Sequence, residues 1–351
     1  MKLLKFNQAG VILSVLFFVF LPIKAKMKVE LGTNYTSEIQ SDFGSGLKWV
    51  GFMQNNLNIY FPHKNKREGS EITIELITIY STSATRLAND QQTFSNIEGP
   101  DLLLSPFLMG YTYHFKNHKI FAGFRNVNED YFTTDYTSLF TQSSAGIHPV
   151  LSANFELANY PQTGLAVFLE TNPSSCLRMR SSVYNGVSGS FLKGENNPFG
   201  FNYQNNGLFL MHDMLLTKPG LRYNIGVLAH LSGNRQKRGG ALWGLVEKAI
   251  YSTNSMELGV VADASYAFMS APQCSYYWSL GFVADGLLGK KAKSIISSRL
   301  FCAHFRKGKE FDLELNWLYQ INSSLRIQPA IHLLHTDKFR PILICRGIFT
   351  F

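Results

Sequence analysis

Apolar and polar residues alternate along most of this chain, in segments of roughly ten residues separated by short polar stretches. Successive side chains of a β-strand point to opposite faces, so alternation predicts strands with one apolar and one polar face. In residues 309–320, one face carries Phe311, Leu313, Leu315, Trp317 and Tyr319, and the other carries Glu310, Asp312, Glu314 and Asn316. The pattern predicts an all-β protein.

Sixteen such segments are long enough to cross a bilayer as tilted strands, which takes about 9–11 residues each. They begin near residues 28, 45, 70, 106, 118, 163, 176, 206, 221, 241, 256, 275, 295, 309, 324 and 341. If the first strand runs outwards, the three longest connections, 81–105, 126–163 and 186–205, all fall on the outside. Short periplasmic turns and long outer loops are typical of transmembrane barrels, whereas a soluble sandwich would share only the alternation. We therefore predict a transmembrane antiparallel β-barrel of about sixteen strands.

The first 25 residues predict a removable signal peptide. Lys2 and Lys5 precede an apolar run, 9–22, that is shorter than the roughly 20 residues of a membrane-spanning helix. Residues 26–351 then form one barrel domain. Loss of three lysines and no acidic residues lowers the formal net charge from +9 to +6. The remaining basic residues are spread along the chain, so we predict no nucleic-acid partner.

Enzymatic and metal-binding signals are weak. The chain has no G-x-S-x-G and no H-E-x-x-H motif, which favours a protein that is not an enzyme. Cys176, Cys274, Cys302 and Cys345 are widely spaced, so we predict no metal site and no cofactor. Export makes disulfides possible, but we interpret Cys302 and Cys345 as small apolar strand residues.

Several stretches resemble one family, and together they cover nearly the whole mature chain. They are FGSGLKWVGFMQNNLNIYF (43–61), FSNIEGPDLL (94–103), KIFAGFRNVNEDYF (119–132), NYPQTGLAVFLE (159–170), RSSVYNGVSG (180–189), YYWSLGFVADGLL (276–288) and the segment 313–351. In these stretches the chain resembles carbohydrate-selective outer-membrane porins of the OprB type, although it is shorter than many members.

The resemblance implies a sixteen-stranded pore in the bacterial outer membrane, through which carbohydrates and other small solutes diffuse passively. It implies contact with outer-membrane lipid and assembly as a monomer or trimer. The terminal Phe351 looks like the sorting signal that the barrel-assembly machinery reads during insertion. A general or weakly anion-preferring porin is the nearer alternative, and a barrel enzyme or a non-conducting adhesive barrel belongs to another class.

The first candidate pore-lining group surrounds Arg125, which lies on the polar face of the strand at 119–125. Guanidinium, amide and carboxylate groups offer directional hydrogen bonds to sugar hydroxyls. A salt bridge that only holds a loop in place is the competing interpretation. The group comprises Arg125, Asn128, Glu129 and Asp130.

A second group consists of arginines on polar strand faces: Arg178, Arg180, Arg326 and Arg346. Charge facing mid-membrane lipid is costly, so these side chains are expected in the lumen. An arginine ladder along one wall, opposed elsewhere by Glu71, Glu75, Asp312 and Glu314, would give a transverse field that orients polar solutes. A solvated pore wall without a role in selectivity is the alternative.

The connection 126–163 is unusually apolar for an exposed loop, with the run 149–155 as its clearest part. We therefore predict a long loop folded into the lumen, where it narrows the pore. Tyr136 is a candidate for stacking on sugar rings. Packing of the same loop on the barrel rim is the alternative.

Overall fold

Strands dominate the structure, which is a computed structural model describing residues 27–44, 46–62, 68–189, 197, 199–288 and 293–351. The predicted signal peptide, 1–25, lies outside the described residues. In the part of the chain that the structure describes, no helix is long and apolar enough to cross a bilayer.

Sixteen strands follow one another along the described chain. They are β1 (Lys28–Ser41), β2 (Leu47–Pro62), β3 (Glu68–Ser81), β4 (Leu102–Phe115), β5 (His118–Arg125), β6 (Gly164–Ser174), β7 (Leu177–Asn185), β8 (Leu208–Lys218), β9 (Leu221–Leu231), β10 (Gly239–Ser252), β11 (Glu257–Phe268), β12 (Cys274–Asp285), β13 (Ser294–Phe305), β14 (Gly308–Gln320), β15 (Leu325–His335) and β16 (Phe339–Thr350). Each begins within four residues of its predicted start, and β4 differs most because it begins at Leu102 rather than near residue 106.

Each strand pairs antiparallel with its neighbour in sequence, and β16 returns to pair with β1. The closing pair aligns Asn34–Ser41 with Leu343–Thr350, so that Glu38 lies opposite Arg346. Closure leaves no open sheet edge, which a strand-built structure needs in lipid because the bilayer core offers no hydrogen-bond partners. The predicted barrel is therefore confirmed.

Alternation sorts side chains to the two sides of the wall as predicted. On β14, Leu315 and Trp317 are exposed on the outer face, whereas Asp312 and Glu314 are buried on the inner face. An apolar outer face and a polar inner face are what a barrel in lipid requires.

The four cysteines are free thiols. Cys302 lies in β13 and Cys345 in β16, in agreement with their interpretation as small strand residues.

Two long connections, 82–101 and 126–163, pack against the inner face of the wall. The second contains the short helices α1 (Asn128–Tyr131) and α2 (Pro149–Ser152), and the 3-10 turns Thr137–Leu139 and Ser143–Ala145; a further 3-10 turn, Arg235–Lys237, follows β9. Loop side chains and wall side chains form a common apolar core inside the barrel, which includes Phe132, Phe140, Val150, Leu151, Phe155, Phe168, Phe209, Trp243, Tyr277 and Phe301. The lumen is therefore packed on the side of β5–β13.

The facing of β16 yields a first prediction. Leu343 lies on the outer face. A basic side chain on the lipid face costs about 2–4 kcal/mol near the midplane, and an aspartate costs less than that but still destabilises the barrel. Leu343→Asp should therefore reduce the folded fraction, measured as the heat-modifiable band on a gel. Ile348→Asp is the matched control, because Ile348 faces the lumen opposite Arg326. Normal assembly of Leu343→Asp with failure of Ile348→Asp would show that the facing is reversed.

Candidate pore constriction

Loop 126–163 lies inside the barrel, because it contacts inward side chains in the middle of strands that are far apart in the ring. The Tyr131 hydroxyl of the loop lies 2.6 Å from the Ser182 hydroxyl of β7. On β14, the Thr141 backbone N–H donates to Glu314 Oε1 at 2.8 Å. A loop resting on the rim could not reach both positions.

Arg125 is an anchor at the start of this loop. Its guanidinium forms a two-point ion pair with Asp130, and the side chain is only 8% exposed. The guanidinium carbon also lies 4.7 Å and 4.5 Å from the ring centres of Phe121 and Phe168. Parallel N–H···O bonds fix the carboxylate in orientation as well as in distance. These contacts match the interpretation of Arg125 as a structural lumen salt bridge.

Arg180 holds the same helix from the neighbouring wall. It pairs at two points with Asp213 and donates to the backbone carbonyl of Asp130. Asn224 donates to Asp213 at 2.6 Å, so that this fully buried carboxylate is well supplied with donors. Helix α1 is therefore fixed by two arginines from different strands. The Glu129 side chain lies outside the described residues.

Glu310 on β14 holds the other inward loop, 82–101. Its carboxylate accepts the backbone N–H groups of Gln91, at 2.9 and 3.0 Å, and of Gln92, at 3.2 Å. Hydrogen bonds to an ionised acceptor are roughly twice as strong as neutral ones. Loop 82–101 is thereby attached to the inner wall.

Glu314, four residues further along β14 on the same face, does the same for loop 126–163. It accepts the backbone N–H groups of Thr141 at 2.8 Å and Gln142 at 3.1 Å. Between the two glutamates, Asp312 accepts from the Gln142 side chain and lies 2.7 Å from His332 Nδ1. One strand therefore carries three carboxylates that bind both loops.

A hydroxyl, an imidazole and a carboxylate form a chain of hydrogen bonds inside the barrel. Thr141 Oγ1 lies 2.7 Å from His332 Nε2, and His332 Nδ1 lies 2.7 Å from Asp312 Oδ2. All three residues are fully buried, and Thr141 Oγ1 also contacts Glu314 at 3.1 Å. The arrangement fits a loop anchor, because the Thr141 hydroxyl is buried between the loop and the wall.

The described part of the chain does not contain an arginine ladder opposed by carboxylates on a distant wall. Arginines are paired locally with carboxylates on neighbouring elements: Arg125 with Asp130, Arg180 with Asp213, Arg299 with Asp263, and Arg346 with Glu38. The loops remove water from these side chains, and a buried charge needs a close partner. Among the described residues, these arginines therefore do not form the one-sided ladder that a transverse field would need.

Other candidates are more accessible. The Arg178 side chain is 49% exposed and lies 3.6 Å from Glu170, and Arg326 is exposed on β15. Tyr136 is half-buried, and its hydroxyl donates to Glu257 at 2.6 Å near the periplasmic end of β11. The sequence-selected residues thus divide into buried loop anchors and accessible lumen side chains.

Sequence reasoning missed the inward polar residues of β1 and β2. Lys48 of β2 pairs with Glu98 of loop 82–101, which shows that the even-numbered positions of this strand face inwards. Gln54, Asn56 and Asn58 share that face and are half-buried, and Asn34 of β1 is exposed opposite Gln54. Amide side chains at every second position of residues 54–58 were the sequence signal that could have identified this polar face.

Removal of the Arg125 anchor should destabilise the protein. Arg125→Ala leaves Asp130 buried without this partner, which costs about 3–5 kcal/mol when a buried pair is broken. The exposed pair of Arg178 and Glu170 should contribute at most about 1 kcal/mol, so Arg178→Ala is the control. Urea unfolding in detergent micelles measures both. Equal, small losses would contradict the assignment of Arg125 as an anchor.

Asp90 yields a pH prediction for loop 82–101. Burial raises the pKa of its carboxyl to about 6, and Asp312 and Glu310 add to the rise while Arg86 opposes it. Because this pKa exceeds that of an unfolded aspartate, about 3.9, packing of the loop is favoured at low pH and weakens as the pH rises through about 6. Hydrogen exchange in residues 88–95, corrected for its intrinsic pH dependence, should therefore be faster at pH 8 than at pH 5.

Asp90→Asn should remove most of this difference, whereas Asp135→Asn, at a carboxylate that is 83% exposed, should leave it intact. A difference that persists in Asp90→Asn would assign the pH dependence to other groups.

Comparisons with known proteins agree with this architecture at the level of the fold. No family model matches the chain, and no curated protein sequence is significantly similar to it. Among solved structures, OprB from Pseudomonas putida at high pH matches with a TM-score of 0.73 and 13% identity, over 92% of this chain and 94% of that one.

Other porins match over similar lengths. An anion-selective porin from Comamonas acidovorans has a TM-score of 0.62 and 8% identity, with 93% and 100% of the two chains covered. OmpF from Salmonella typhi, in complex with daunomycin, has a TM-score of 0.61 and 10% identity, with 92% and 98% covered. The chain therefore has the fold of bacterial outer-membrane porins, OprB among them, and its sixteen-stranded barrel fits an outer-membrane protein.

Proposed function

We propose that this protein is an outer-membrane porin through which carbohydrates and other small neutral solutes diffuse down their gradients. The observation that carries the proposal is the local pairing of lumen charges inside a sixteen-stranded barrel. A barrel of 16–18 strands is wide enough for an aqueous channel. Paired charges produce only a weak field at a distance, so the lumen offers little attraction to ions of one sign.

The resemblance to OprB-type porins supports carbohydrates as the preferred class. Four candidates for solute contact remain accessible: Arg178, Arg326, Tyr136 and Asn128. The other group shapes the path because its ion pairs fix loop 126–163 and the seam between β1 and β16; it comprises Arg125, Asp130, Arg180 and Arg346. Insertion through the barrel-assembly machinery, and a monomeric or trimeric state in outer-membrane lipid, belong to the same proposal.

A general or weakly anion-preferring porin is the second candidate. It is favoured by the net charge of +6 after removal of the signal peptide and by the exposed Arg178 and Arg326. An enzymatic barrel receives no support from the buried group around His332.

Liposome swelling tests the proposal directly. Vesicles carrying the purified protein should swell faster in monosaccharides than in zwitterionic amino acids of similar size, and reversal potentials in a salt gradient should show weak ion selectivity. Size-limited rates for both solute classes would indicate a general porin. A strongly anion-selective reversal potential would support the second candidate.

Deletion of 143–152 should widen the pore, because this segment includes α2, which contacts β11 and β12. We expect higher single-channel conductance and a smaller difference between sugars and amino acids. Deletion of the exposed turn Arg235–Lys237 is the control and should alter neither quantity. Unchanged conductance after the first deletion would show that loop 126–163 does not limit flux.

A further inference from the structure

We propose that the inward amides of β1 and β2 form a binding track for neutral polyhydroxylated solutes. This amide track consists of Asn34, Gln54, Asn56 and Asn58. The inference rests on the proposed function and assigns its solute recognition to one wall of the lumen. It differs from the arginine-centred candidates, most of which the structure has placed in buried pairs.

The amides of β1 and β2 lie on a part of the wall that the loops leave accessible. On the wall of β8–β14, inward side chains are covered by the loops, and Asp213, Asp263 and Glu314 are at most 5% exposed. The amides of β1 and β2 lie at comparable positions along their strands yet remain half-buried or exposed. A solute that crosses the barrel is therefore directed towards β1 and β2.

The amides are spaced regularly along the direction of transport. Gln54, Asn56 and Asn58 occupy alternate positions of one strand, so neighbouring side chains stand about 7 Å apart along the direction of transport. Asn34 lies beside Gln54 on the adjoining strand. This spacing is close to the length of a hexose, so one ring can contact two amides and pass to the next.

Most donors and acceptors of these side-chain amides are not used within the described part of the protein. Among the described residues, the side chains of Asn34, Asn56 and Asn58 have no hydrogen-bond partner, and Gln54 uses one donor on Glu75 at 3.0 Å. Each amide offers two donors and one acceptor oxygen without a net charge. Sugar hydroxyls both donate and accept, so they match amides better than a simple ion does.

Gly32 shows that the wall is shaped around one of these amides. It lies opposite Asn56, and a Cβ at Gly32 would come within 2.5 Å of Asn56 Oδ1. The missing side chain lets the amide lie against β1 at the lumen surface. A larger residue at this position would push Asn56 into a different orientation.

Nearby carboxylates extend the chemistry. Glu75 lies directly across from Asn56 on β3, and Glu71 accepts from Thr73 at 3.0 Å further towards the periplasm. Carboxylates accept hydrogen bonds from sugar hydroxyls and repel anionic solutes. The track is therefore suited to neutral polyols in preference to phosphorylated sugars or organic acids.

The test removes amides from the track and compares them with a neighbour that faces lipid. Asn56→Leu/Asn58→Leu is the track variant, and Asn55→Leu is the control, because Asn55 points outwards and accepts from Thr33 at 2.9 Å. Glucose is titrated against single channels in planar bilayers, and the half-blocking concentration is measured. Loss of one or two hydrogen bonds should raise it by about fivefold or more in the track variant. The control should match wild type.

Folding is checked with the heat-modifiable gel band and the glucose-free conductance. If the leucine variant does not assemble, Asn56→Ala/Asn58→Ala takes its place, because alanine removes both amides without adding bulk or charge. It should raise the half-blocking concentration of glucose.

An unchanged half-blocking concentration in a folded track variant overturns the amide track while leaving the proposed porin function in place. A wild-type channel that conducts salt but shows neither glucose block nor faster swelling in sugars overturns the proposed carbohydrate function, and the track with it. An equal rise of the half-blocking concentration in Asn55→Leu would also overturn the track, because the effect would then not depend on which face of β2 is altered.

Discussion

Every strand in this barrel depends on the pairing of β16 with β1, because a lipid bilayer offers no hydrogen-bond partner to an open sheet edge. At the closing seam, the Arg346 guanidinium pairs with the Glu38 carboxylate directly opposite it. Since side chains alternate, that register sets the facing of both strands. A slip of β16 by one residue would move Arg346 towards lipid and the outward apolar residues of β16 towards the lumen.

Once sixteen strands close, the interior is too wide for wall side chains alone to fill. Loop 126–163 occupies much of this space, and its backbone N–H groups then need acceptors away from bulk water. The carboxylates of β14 supply them for this loop and for loop 82–101. The acidic face of that strand is therefore explained by loop attachment, and the apolar lumen residues, such as Trp243 and Phe168, are explained by loop packing.

Much of the fold could be predicted from the sequence, because each strand has a local signature. Alternation identified the strand number, the facing of β14–β16 and the positions of long loops. It could not explain why the apolar Phe121 shares the inward face of Arg125, since an apolar side chain in a lumen is favourable only when a loop covers it. Asp130 could be grouped with Arg125 because it follows five residues later, whereas Asp213 was hidden because pairing across strands depends on register.

The pairing of charges also bears on what the lumen can distinguish. An isolated arginine beside a narrow path would act on ions over a distance of several ångströms, but an arginine held against Asp213 or Glu38 acts mainly on its partner. Discrimination must then come from contact, through hydrogen bonds and shape, and contact is possible only where side chains remain accessible. The asymmetry of the lumen follows from this division. Polar groups that hold the loops, including Lys48 of β2, contribute to stability, so a solute can contact only the polar side chains that remain accessible, among them the amides of Asn56 and Asn58.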